Sequence, residues 1–240
     1  MYKLLLDIGN TFTKAAVADR HNRLLAVQRT IDCTGDWLQQ LTEQYRPEAA
    51  IVASVRGNRE QVAECLQAQV KKVIAFSHTT PLPVSNLYAT PATLGPDRLA
   101  AAVGAATLFP QRDCLIIDCG TAITIDFLSR AGEFLGGNIS PGLQMRFKAL
   151  HTFTAGLPMG TAGDMPAAVG SSTQEAIEAG VVQGAVNEIE GYLAQYPACT
   201  PVFTGGDVFY FAKRIKKPIF VACNLNFIGL AKIVDYNVYV

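Results

Sequence analysis

The sequence predicts an α/β fold made of two like halves, each a mixed β-sheet with helices packed against it. Three observations point there. LLLDIGNTFTKAAVAD, from Leu4, and LIIDCGTAITIDFLSR, from Leu115, share one pattern: an apolar run, an aspartate, one residue, a glycine, a small polar residue and a second strand-like run. Each copy opens a stretch with three strand-like segments before helix and strand alternate, the order that builds mixed sheets covered by helices. Half of the 240 residues are hydrophobic, enough for a substantial core.

The elements follow in order. Tyr2 to Leu6, Thr11 to Ala18 and Leu24 to Thr30 read as strands, with turn residues from Asp19 to Asn22. A helix is predicted from Asp36 to Tyr45, stopped by Pro47, and Ala49 to Ser54 is a buried strand. Asn58 and Gln61 are spaced as a capping box opening a helix that runs to about Gln69. Ser77 to Gly95, rich in proline, threonine and serine, reads as a loop long enough to carry function. Pro96 then starts a helix reaching Leu108. The second half repeats three strands, Leu115 to Cys119, Ala122 to Leu128 and Glu133 to Ile139, followed by a helix from Leu143 to His151. A long helix from Thr173 to about Ala194, opened by a Ser172/Glu175 capping box, a strand from Pro201 to Thr204 and a terminal helix complete the chain. The halves are expected as residues 1–111 and 112–240, tightly joined because Phe109 to Asp113 is too short and plain to be a linker.

Charge excludes some functions. Basic and acidic residues number 20 each, so no global field draws the protein to nucleic acid or an anionic membrane, and any anion site must be built locally. No stretch approaches membrane-spanning length, and the start of the chain lacks the layout of a secretory signal, which makes a cytoplasmic location the expectation. The six cysteines show no CxxC spacing and read as free thiols, Cys119 as a buried packing residue. His21, His78 and His151 are too scattered to hold a metal.

The chemistry-bearing residues cluster in a few segments. In DIGNTFTK, Asp7 supplies a carboxylate at a strand end, Gly9 a turn of close backbone approach, Asn10 and Thr11 polar donors and Lys14 a cation, a set suited to the phosphates of ATP. A polar turn with an exposed lysine is the bland alternative. The second copy has Asp118, Gly120, Thr121 and Thr124 but no lysine, so its aspartate is better suited to a cation. Between the copies, Asp97 and Arg98 stand side by side at a helix start. They could orient a substrate hydroxyl and bind a substrate carboxylate, or merely complement the helix dipole. A carboxylate in that place is expected to be a weak base, which phosphoryl transfer through a loose transition state tolerates. GGNISPG, from Gly136, and TGGD, from Thr204, read as tight turns against which a nucleotide could lie. Ala176, Gly180, Gly184, Asn187 and Gly191 form one small-residue face of the long helix, for packing on the sheet or for a two-fold dimer.

Taken in order, DIGNTFTK, YATPATLGPDR, DCGTAITID, GGNISPG, GSSTQEAIEAG and TGGD resemble type III pantothenate kinases, of the superfamily of acetate and sugar kinases, hsp70 and actin. The resemblance implies duplicated ribonuclease-H-like (actin-like ATPase) domains and a homodimer. It also implies ATP with Mg2+, a monovalent cation (K+ or NH4+) and phosphorylation of pantothenate at the first step toward coenzyme A. By motif it assigns Asp97 as general base, and Tyr88, Gly95, Pro96, Asp97, Arg98 and Thr173 to pantothenate, with Thr173 reaching the partner subunit's substrate. Asp7, Ile8, Gly9, Asn10, Thr11, Phe12, Thr13, Lys14 and Thr121 go to ATP, and Asp118 to the monovalent cation. Pro96 is a small departure from the family pattern that touches local backbone geometry alone. Another small-molecule kinase of the superfamily, or a non-catalytic accessory protein, is the rival reading; the YxxPxxLGxDR segment and the intact Asp97, Lys14 and Asp118 speak against each in turn.

Overall fold

A computed structural model describes residues 2–164 and 168–238. Strands β1 (Tyr2–Ile8), β2 (Thr13–Asp19) and β3 (Leu24–Thr30) are followed by α1 (Gly35–Tyr45), β4 (Ala49–Ser54), α2 (Arg59–Gln67) and β5 (Lys72–Ala75). A two-residue strand, β6 (Ser85–Asn86), and a 3-10 turn at Pro91–Thr93 interrupt the connection to α3 (Pro96–Leu108). Next come β7 (Cys114–Cys119), β8 (Ala122–Leu128), β9 (Glu133–Pro141), α4 (Leu143–Phe153) and α5 (Thr173–Gln195). The chain closes with β10 (Thr200–Thr204), α6 (Val208–Ala212), β11 (Phe220–Val221) and α7 (Leu225–Val238).

The chain divides into two compact units. The first runs through Arg112 and takes in Leu128–Gly136 and the segment from Asn224 onward; the second holds Asp113–Phe127 and Gly137–Cys223. The first crossing, between Arg112 and Asp113, lies one residue from the expected boundary. The later returns, through the β8–β9 turn and α7, have no sequence signal, because a short hairpin end and a terminal helix look the same wherever they pack.

In the first unit the strand order is β3-β2-β1-β4-β5, with β1, β2 and β3 antiparallel and β4 and β5 parallel to β1. A second, six-stranded sheet repeats that order as β9-β8-β7-β10-β11 and adds β6 parallel to β9 at its edge, with β10 parallel to β7 and to β11. Alternation decides which side chains face which layer. Leu4, Leu6, Ile8, Ala15, Val17, Ala50 and Val52 meet Leu38, Leu41, Val62 and Leu66 of α1 and α2. The opposite face of β1 and β4 packs against α7, which in turn lies along α3. That helix pair comes together through glycine: a Cβ on Gly229 would overlap the carbonyl of Ala100, and one on Gly104 the carbonyl of Leu225. Lys3, fully buried on β1, is paired with Asp235 of α7 and donates to Asn22 at 2.5 Å, so its charge is neutralised where water is excluded. The second unit's core joins Leu115, Ile117, Ile123, Ile125 and Phe203 of the strands to Phe147 of α4 and Ile177, Val181, Val182 and Ile189 of α5.

Several expectations change. The loop after β1 reaches Phe12, closed by Gly9 N–H to the Phe12 carbonyl at 3.0 Å, so β2 starts later than predicted. Helix α1 is capped by Thr34, whose Oγ accepts from Trp37 N–H at 3.3 Å, and ends at Arg46 with φ 47° before Pro47. The Asn58/Gln61 capping box does not form: Asn58 Oδ1 instead accepts from Ser54 Oγ at 2.7 Å. At α5 half of the box forms, Ser172 Oγ accepting from Glu175 N–H, while the Glu175 carboxylate takes Ser171 N–H at 2.8 Å. GGNISPG is not a strand-to-helix turn but the body of β9, with Gly142 at the start of α4. Gly137 belongs inside that strand because a Cβ there would strike Ile125 and Asp126 of β8.

Candidate functional site

The first unit gathers its chemistry at the carboxyl ends of β1 and β4, where sheets of this kind leave a crevice. Asp7 is the last residue but one of β1, directly opposite Lys14 of β2. Asn226 of α7 donates to Asp7 Oδ2 at 3.2 Å, while its own Oδ1 is buried with no hydrogen-bond partner. Burial first, and the nearby Asp97 carboxylate second, push the Asp7 carboxyl above the ordinary range; Asn226 and Lys14 pull it back in part.

Asp97 sits in the first turn of α3. Pro96 is the first residue of that helix and Gly95 its N-cap, with no side-chain cap. The Asp97 carboxylate folds back over the start, accepting from Arg98 N–H at 2.9 Å, in space that a Cβ on Gly95 would fill. The sequence suggests a base weakened by the helix N-terminus. Burial overrides that and raises the Asp97 carboxyl, the Arg98 hydrogen bond and charge opposing it. A buried carboxylate with a raised pKa is a better proton acceptor than a surface one.

Arg98 is only 6% exposed. Its guanidinium carbon lies 5.5 Å from the Tyr88 ring centre and 5.7 Å from that of Phe134, and the two rings are 6.2 Å apart. With their centres this close together, the two rings lie on the same side of the guanidinium carbon and hold the cation by ring contact, while its fork of N–H groups supplies directional binding. Gly136, at φ 107°, makes room for Tyr88, whose ring a Cβ would meet at 3.3 Å. Phe134 was not singled out in the sequence, since a buried phenylalanine in a strand gives no hint of its neighbour.

The structure sorts the DIGNTFTK residues. Asn10 and Thr11 are exposed at the loop, and Gly9, Phe12 and Lys14 are half-buried around it. Ile8 and Thr13 are fully buried, and the Thr13 hydroxyl has no hydrogen-bond partner, so neither side chain faces solvent. Arg56, two residues past β4, was also missed. Its Nε donates to the Gly9 carbonyl at 2.7 Å and its Nη2 to that of Asn10 at 3.0 Å.

In the second unit Asp118 is the last residue but one of β7, and the turn beyond the strand is closed by Gly120 N–H to the Ala122 carbonyl at 3.1 Å. Thr121 is exposed, and its carbonyl accepts from Gly142 N–H at 3.1 Å. TGGD lies over this turn: Gly205, at φ 100°, adjoins the Asp118 carboxylate and the Cys119 carbonyl, which Asp207 N–H reaches at 2.8 Å. Cys119 is fully buried, and burial followed by Asp118 and Asp207 pushes its thiol far up, so it packs rather than reacts. Thr173 is exposed at the first residue of α5.

Among the described residues no three or more His, Cys, Asp or Glu side chains form a metal-holding group, and no helix is long and apolar enough to cross a membrane. Asp7, with the orphaned Asn226 oxygen, does present the small oxygen set that suits Mg2+, which takes few protein ligands besides phosphate and water. Asp118 beside backbone carbonyls presents the oxygen donors a monovalent cation accepts.

Comparison with known proteins agrees with these motifs. The family model for type III pantothenate kinase matches residues 3–195. A type III pantothenate kinase from Phocaeicola vulgatus is 43% identical over 239 residues, covering 98% of each chain. Among solved structures, a Campylobacter jejuni protein described as a Baf family transcriptional activator superposes with a TM-score of 0.64 at 24% identity, over 99% of this chain and 100% of that one. A Sinorhizobium meliloti protein described as a 2-dehydro-3-deoxygalactonokinase reaches 0.59 at 12% identity over 98% of each chain, a likeness of fold alone. With the repeated five-strand order, the Asp-x-Gly loops and this match across most of its length, the chain belongs to the type III pantothenate kinase family.

Proposed function

We infer that this chain transfers the γ-phosphoryl group of ATP to the terminal hydroxyl of pantothenate, the first step toward coenzyme A. The half-buried Asp97 carboxylate, close enough to Asp7 to perturb it and adjacent in sequence to the ring-held Arg98, carries this reading. Arg98, with Tyr88 beside it, holds the pantothenate carboxylate, and Asp97 accepts the proton of the attacking hydroxyl. The hydroxyl oxygen bonds to the γ-phosphorus as the bond from phosphorus to the bridging oxygen breaks, and ADP departs. Lys14 and the Gly9–Phe12 loop hold the phosphates, and Thr121, in the second Asp-x-Gly turn, is the other residue proposed for ATP. Asp7 would hold Mg2+, whose charge would offset that of the phosphates. Asp118 is the proposed ligand of K+ or NH4+, and the cytoplasm, where ATP is supplied, is the proposed location.

A coupled ADP-release assay tests the reading. Pantothenate should elicit ADP from ATP in potassium and much less in sodium, and Asp118→Ala should erase the difference between the salts. No pantothenate-dependent ADP in either salt would refute the activity; an Asp118 variant that keeps its potassium dependence would refute the cation assignment.

We also propose a homodimer joined through α5. Ala176, Gly180, Gly184, Asn187 and Gly191 are all exposed, so the small-residue face does not pack on its own sheet, which α5 meets with Ile177, Val181, Val182 and Ile189. A Cβ on Gly180, Gly184 or Gly191 would meet nothing within 4 Å. Such a face admits a second backbone closely, and the exposed Thr173 at its start could then serve the partner's substrate. Gly184→Glu should convert a dimer to a monomer in sedimentation and reduce turnover. A wild-type monomer with full activity would contradict the proposal.

A further inference from the structure

We propose that Arg56 is a positioning residue for the phosphates of ATP, acting by setting the peptide planes of the Gly9–Thr11 turn; the inference rests on the reading of that turn as a phosphate loop. Parallel pairing of β1 with β4 brings Ile8 opposite Ser54, so the residues after each strand emerge side by side. Arg56 is fixed there by its own backbone, its N–H donating to Ser54 Oγ at 3.1 Å, and Ser54 Oγ donates in turn to Asn58 Oδ1. From that anchor the guanidinium spans two successive carbonyls, Gly9 at 2.7 Å and Asn10 at 3.0 Å. In a planar trans peptide the C=O and N–H point in opposite directions. Holding these two carbonyls therefore turns the N–H groups of Asn10 and Thr11 together away from Arg56, the arrangement of neighbouring amides that cradles an anion. The Gly9 N–H is already given to the Phe12 carbonyl, which closes the turn around them. Two carbonyls at one residue's spacing need a fork of donors, which arginine supplies and lysine does not.

The test is steady-state kinetics of Arg56→Ala, Arg56→Lys and Lys14→Ala, with circular dichroism to show each folded. Arg56→Ala should raise KM for ATP roughly tenfold, the scale of one lost charge-assisted hydrogen bond. KM for pantothenate should stay within about twofold and kcat should change less than KM for ATP. Arg56→Lys should restore only part of the loss, and the protection that ATP gives the Asn10 and Thr11 amides against hydrogen exchange should weaken in Arg56→Ala. An unchanged KM for ATP in Arg56→Ala, while Lys14→Ala raises it, overturns the inference and leaves the phosphate-loop reading standing. Full rescue by lysine overturns the positioning role in favour of bare charge. If neither Arg56→Ala nor Lys14→Ala alters KM for ATP, the loop reading itself fails, and the inference with it.

Discussion

Asp97→Asn is expected to lower kcat by roughly three orders of magnitude, within the range a positioned general base contributes, while leaving the fold intact. Asparagine keeps the oxygen that accepts from Arg98 N–H, so the start of α3 is preserved and only proton acceptance is lost. The raised carboxyl places the acid limb of the wild-type rate profile above the ordinary carboxylate range, since the base must be ionised to act. Stability should move the other way. A carboxyl whose folded pKa is raised favours the folded state when protonated, a contribution lost as pH rises through that pKa. At neutral pH the ionised, partly desolvated Asp97 therefore costs stability, and removing its charge also relieves Asp7. The variant should melt above wild type at neutral pH, with the gap closing as pH falls toward the ordinary aspartate range. Stopped-time ADP assays and melting curves across pH measure both; near-normal turnover would remove Asp97 from the base role.

Gly229→Val should be the most damaging single change to the first unit. A Cβ at this position of α7 would overlap the Ala100 carbonyl of α3, and a backbone atom cannot swing aside as a side chain would. The helices must separate, which opens voids beside buried Leu99, Val103, Leu230 and Val234. A loss of at least about 3 kcal/mol is expected from this overpacking, or about 10 °C in melting temperature for a chain of this size. Gly35→Ala is the control, because a Cβ on Gly35 meets nothing within 4 Å and its stability should be nearly unchanged. Equal melting of the two variants would show that α3 and α7 are not held at glycine contact.

Much of the site is written locally. Asp7 and Gly9, like Asp118 and Gly120, follow apolar runs, and a strand end is a place that alternation and a glycine turn define without distant help. Pro96 at the start of α3 and Ser172 before α5 act through backbone groups within one helical turn, so their roles are legible too. The Asn58 box fails for a tertiary reason: Ser54, at the end of β4, takes the Asn58 side chain that would have capped α2. β6 and β11, two residues each, carry no periodicity, and strand status comes to them from the neighbours they pair with. GGNISPG reads as a turn because glycine and proline mark turns on average, yet here the glycines serve close passage of strands.

By itself the sequence determined the doubled order of strands, the two Asp-x-Gly turns and the Asp97–Arg98 helix start, because each depends on contacts within a few residues. Only the tertiary structure decided what those groups become. Arg56 reaches a loop 46 and 47 residues away, and Asn226 meets Asp7 across 219. Phe134 and Tyr88 close on Arg98 from a strand and a loop on either side of it in the chain. Burial, which raises Asp97 where a helix terminus alone would lower it, is a property of everything packed around a carboxylate. No local pattern encodes it, since desolvation is summed over neighbours that the folded chain alone brings together.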